Sequence, residues 1–120
     1  MFSWFKRQPR SLGPESKWVV TIDGDLINVR DDASRGKIIA KRDLSGVAVE
    51  TNDSGPWGTD VWWLLFDNRD ELACAFPQGA TGEGEVVDYL SSLPSFDHGE
   101  MIKAMGSTAN AIFPVWRRMV

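Results

Sequence analysis

A chain of 120 residues with a formal net charge of −4 and a single cysteine is one domain's worth of polypeptide, without an intramolecular disulfide, and fits a reducing cytoplasm. No run approaches the ~20 apolar residues of a membrane span, and no apolar leader segment follows the basic start. Residues 43–101 carry twelve acids against one base, Arg69; such an acidic middle repels phosphate backbones, which excludes general nucleic-acid binding and suits a protein partner, a basic one in particular.

Residues 1–17 read as a flexible basic and aromatic tail. Gln8-Pro9-Arg10-Ser11-Leu12-Gly13-Pro14 has no periodicity and two prolines. Residues 1–7, Met1-Phe2-Ser3-Trp4-Phe5-Lys6-Arg7, mix rings with cations, a composition able to touch an anionic membrane surface but too short to anchor alone.

Residues 18–118 read as one folded unit. Trp18-Val19-Val20-Thr21-Ile22 alternates, Asp23-Gly24-Asp25 turns, and Leu26 to Arg30 returns as a hairpin. Lys37 to Lys41 is a short strand, and Leu44 to Glu50 is the next. Val61-Trp62-Trp63-Leu64-Leu65-Phe66 follows a Gly/Pro loop and pairs with Leu72 to Phe76 across a short Asp/Asn turn. Alternation sends Val61, Trp63 and Leu65 to one face and Trp62, Leu64 and Phe66 to the other. Neither set is polar, so both faces of this strand need cover.

Past Pro77 the apolar period changes from two to about 3.6. Thr81 is placed to cap a helix carrying Val86, Leu90 and Leu93 on one face, with Glu83 and Glu85 in its first turn. Asp97 three residues before Glu100 forms a capping box for a brief second helix ending at Gly106, with Phe96 against Met101 as the staple. Ala111 to Trp116 is a last strand, and Pro114, lacking an N–H, places it at an edge.

The chemistry-bearing residues are few. His98 is the only histidine and Cys74 the only cysteine, too few for a structural zinc site. The calcium-loop, phosphate-loop and dinucleotide patterns are absent. Cys74 lies in an apolar run and reads as a small buried hydrophobe. No catalytic residue, metal ligand or cofactor site is therefore assigned. The binding candidates are the loop from Asn52 to Asp60, with Trp57 between Pro56 and Gly58 and acids at Asp53 and Asp60, and His98 at the start of the second helix.

Asp60-Val61-Trp62-Trp63-Leu64-Leu65, Phe76-Pro77-Gln78-Gly79-Ala80, Leu93-Pro94-Ser95-Phe96-Asp97 and the closing Phe113-Pro114-Val115-Trp116 together resemble a group of small uncharacterised bacterial proteins with an L-P-x-F-D … F-x-x-W ending. That resemblance, spanning about residues 18–118, implies a compact bacterial module and transfers no functional residue.

The expected architecture is α+β: a twisted antiparallel sheet of six to seven strands with two short helices near the carboxy end. The alternative is a pleckstrin-homology-like half-barrel with a capping helix. The two-faced strand calls either for curling of the sheet or for a partner, a second copy of the chain included, over the second face. The expected function is a non-catalytic protein-interaction or accessory module with an acidic surface. The alternative is a small-molecule binder or enzyme with a pocket lined by tryptophans near Cys74 and His98.

Overall fold

The computed structural model describes residues 18–31, 35–55, 58–107 and 109–118, with backbone alone for residues 53–55 and 58–60. The tail of residues 1–17 and Trp57 lie outside the described residues, as do the side chains of Asp53 and Asp60.

The chain runs β1 (Val19–Asp23), β2 (Leu26–Arg30), β3 (Gly36–Ala40), β4 (Gly46–Gly55), β5 (Gly58–Phe66), β6 (Leu72–Pro77), α1 (Glu83–Ser91), α2 (His98–Met105) and β7 (Ala111–Arg117). The strands form two antiparallel sheets, one of order β1-β2-β3 and one of order β6-β5-β4-β7. The single sheet of six to seven strands is thus corrected to a three- and a four-stranded sheet.

The reason is edge occupancy. β4 bonds β5 along one side and β7 along the other, so neither side of β4 is left for its chain neighbour β3. The chain leaves β3 through a 3-10 turn at Lys41–Asp43, where Lys41 N–H donates to the Asp25 carbonyl at 2.7 Å. Leu44, fully buried, fixes the exit.

The β1–β2 hairpin turns at Gly24, whose φ of 60° suits the first position of a tight turn. β7 is the edge strand that Pro114 demands. Its register slips between Val47 and Ala48, leaving Val115 unmatched, and the Val115 carbonyl accepts instead from Asp97 N–H at 2.7 Å.

One core lies between the sheets and helices. It joins Val20, Ile27, Val29 and Ile39 of the small sheet to Val47, Val49, Val61, Trp63, Leu65, Cys74 and Phe76 of the large one. Val86, Leu90, Phe96 and Ala104 complete it from the helical side. Trp63 and Phe76 stack with ring centres 6.4 Å apart. Burying each such side chain contributes roughly 1.5–3 kcal/mol, so this shared interior holds both sheets together.

Thr81 does not cap α1. Its backbone is spent on β1: Thr81 N–H donates to the Trp18 carbonyl and Val20 N–H to the Thr81 carbonyl, both at 2.8 Å. Gly82 takes the cap position at φ 86° without a side-chain cap. Asp97 caps α2 as the spacing predicts, its Oδ1 accepting from Glu100 N–H at 2.9 Å, and Gly106 closes that helix.

Candidate functional site

Of the four binding candidates, the structure describes the side chain of His98. It opens α2, is exposed, and its ring lies 4.9 Å from that of Phe96. Positions 98, 102 and 105 share one face of the helix by their spacing of four and three. Ala104 is fully buried and Met101 packs on the core, which turns that face outward. Ile102 is 66% exposed and Met105 38% exposed. Gln78 Nε2 contacts Met105 Sδ at 3.6 Å, and Glu100 flanks the stripe, paired to Lys103 at 3.1 Å. His98 was legible in sequence, whereas Ile102 and Met105 were not singled out; the 3.6 period alone carried their signal.

A second apolar assembly lies on the other face of the large sheet. Ala48, Trp62, Leu64 and Ala75 are buried there, with Trp18, Phe66 and Leu72 packed against them. The Trp62 and Leu64 side chains thus take the face opposite Trp63 and Leu65, as alternation requires. Glu50 stands across from Trp62 on β5 and Ile112 on β7, and so shares that face. It is 3% exposed, and its Oε1 has no hydrogen-bond partner. Burial raises its pKa above the usual carboxylate value; the positive charge at the amino terminus of the chain is the smaller, opposing cause. Glu50 was not singled out from sequence, although an acid in phase with Ala48 and not with Val47 and Val49 marks it.

Cys74 is buried in β6, and burial pushes its thiol up to about 12. Such a thiol is neither nucleophile nor ligand at neutral pH. Two clefts are described, of 640 and 520 Å³, and neither is lined by Cys74 or His98, so the pocket expected beside those two residues is not where these clefts are. The larger follows the β7 slip past Asp70, Ser95, Asp97 and Arg117. The smaller is walled by Tyr89 and Trp116 and carries Lys41, Arg42 and Arg118 against a single acid, Asp25. Lys41 Nζ sits 4.5 Å above the Tyr89 ring, and the Arg118 guanidinium 5.6 Å from the centre of Trp116. Arg118 also donates to the carbonyls of Leu44 at 2.9 Å and Lys41 at 3.1 Å, while Arg42 pairs with Asp25.

Among the described residues no group of three or more His, Cys, Asp or Glu side chains is placed to hold a metal ion, and no helix is long and apolar enough to cross a membrane. Neither a family model, nor a curated protein, nor a solved structure matches the chain.

Proposed function

We propose that the protein is a non-catalytic interaction or accessory module of the cytoplasm that holds a protein partner through the outer stripe of α2. The observation that carries this reading is Ile102, a large apolar side chain two-thirds exposed on the same face as Met105 and His98. The acids of residues 43–101 lead up to and into that helix in sequence, ending with Asp97 and Glu100 at its start, so the matching partner surface is apolar at its centre and basic at the rim facing that end. The segment read from sequence as a loop from Asn52 to Asp60 is mostly strand, with Asp53 in β4 and Asp60 in β5; the end of this hairpin, with Trp57 between the two strands in sequence, is the second contact in this reading. A compact bacterial module of the kind the sequence resembles fits such a role.

The test is Ile102→Glu in the full chain. The partner is captured from lysate with the wild-type chain, identified, purified, and its affinity measured against wild type, Ile102→Glu and Trp57→Ala. Ile102→Glu is expected to weaken binding at least tenfold, about 1.4 kcal/mol, with the melting temperature unchanged. Equal affinity for all three chains overturns the reading.

A second reading, a binder of a small anionic molecule, draws on one observation: three cations and two rings line the 520 Å³ cleft. Thermal protection by an anionic metabolite, lost in Arg118→Gln, supports it; protection that survives Arg118→Gln contradicts it.

A further inference from the structure

The second face of the large sheet has more apolar surface than its described neighbours cover. The helices and the small sheet all pack into the first-face core. Among the described residues only Trp18 joins the second face from outside the large sheet. Trp18 lies on Trp62, yet Leu64, two residues further along the strand, is fully buried and Glu50, on the neighbouring strand, is 3% exposed.

We propose that residues 1–17 of this same chain occupy the second face, with the rings of Phe2, Trp4 and Phe5 over Trp62 and Leu64 and a cationic group of that segment against Glu50.

Three observations favour this occupant. Trp18, the residue that follows the segment, lies edge to face on Trp62 at 5.3 Å; the preceding residues are therefore delivered to the margin of the face. Reach does not limit them, since seventeen residues extend up to about 55 Å and the stretch from Trp62 to Phe66 is only about 13 Å long. The chemistry matches: three rings stand beside Lys6 and Arg7, facing an apolar surface that holds one buried carboxylate oxygen without a partner. A cation there offsets part, though not all, of the cost of burying that acceptor. A second copy of the chain fits less well. Three strand spacings by 13 Å make a face of roughly 200 Å², well below the ~800 Å² per partner of a stable interface.

The experiment places a nitroxide at Ser3→Cys in the full chain. Cys74 is buried with its thiol held protonated, so labelling is confined to the new site. A second sample carries the label at Ser11→Cys, which guards against disturbance by the label at position 3. Signal loss in the amide spectrum is expected for Ala48, Glu50, Leu64 and the Trp62 indole in at least one of the two samples, and not for Val86 and Leu90. No loss is expected when a labelled chain without isotope is mixed with an isotopic chain without label. Loss spread evenly over the domain, or absent from the second face in both samples, overturns the proposal. Loss at that face in the mixed sample also overturns it, in favour of a second copy.

Discussion

The Trp18 and Trp62 indoles meet edge to face, their ring centres 5.3 Å apart and their planes at 89°. This contact joins the start of β1, a strand of the small sheet, to the outer face of the large one. It is the sole described link between them on that side of the molecule, and two effects depend on it: the entry angle of β1 and the cover over Trp62. Trp18→Ala removes a half-buried ring and the favourable ring geometry. The expected loss is about 3 kcal/mol, the low end for truncating a large aromatic side chain, read from urea unfolding of both chains. A loss below about 1 kcal/mol would mean that the contact is incidental.

Gly82 carries a sharper constraint. A Cβ at this position would stand 2.1 Å from the Val20 carbonyl oxygen, and the residue's φ is 86°. The left-handed backbone alone costs an alanine about 1–2 kcal/mol, and the clash falls on backbone that bonds Thr81. Gly82→Ala is expected to destabilise by more than about 2 kcal/mol. Gly84→Ala, with open space around it, serves as the control and should be neutral or mildly stabilising. Equal stability of the two variants would show that β1 is not seated on the α1 entrance.

Cys74 sets a pH dependence at the alkaline end. Its thiol rises from an ordinary value of 9.0 to about 12 because burial disfavours the thiolate. Between those values the unfolded chain releases a proton that the folded chain keeps. Stability is therefore complete below about 9 and falls as pH rises towards 12, by at most about 1.4 kcal/mol per pH unit. Cys74→Ala removes this slope, and the difference between the two stability–pH curves is the measurement. Parallel curves would place the thiol in contact with water.

Glu50 gives a dependence of the same sign at lower pH. Its carboxyl is raised by burial, so the folded state prefers it protonated. The stability this group contributes is full below the usual carboxylate range and is lost as pH climbs through the raised value. Glu50→Gln is expected to be the more stable chain at pH 7, with the advantage shrinking as pH falls into the acid range. A variant less stable than wild type at pH 7 would mean that the charged form is the one the fold selects.

Much of the fold was legible in the residues. Alternation located all seven described strands, and it divided Trp62 and Leu64 from Trp63 and Leu65 correctly, because side-chain direction in a strand follows directly from parity. Pro114 marked the edge strand, and Asp97 and Glu100 marked the start of α2, because both signals are local. Partner choice was not legible. β4 takes β7, 60 residues further on at the Thr51–Ala111 pair, over its neighbour β3, and nothing near Ala40 or Leu44 encodes that. Thr81 looked like a cap because its side chain suits one, but a tertiary bridge to Val19 claimed its backbone first. On the candidate stripe of α2, His98 stood out in sequence as a rare residue type. Ile102 escaped because an exposed isoleucine and a buried one look alike in sequence. The cleft of Lys41, Arg42 and Arg118 escaped because its members lie up to 77 residues apart.

Burial of the large sheet on both faces is the central claim, and oxidative footprinting by hydroxyl radicals tests it most directly. Trp62 and Trp63 are adjacent in sequence, of equal intrinsic reactivity, and point to opposite faces. In the dilute full-length chain both are expected to be protected several-fold relative to the urea-unfolded chain. Protection of Trp63 with Trp62 modified as fast as in the unfolded chain would contradict it.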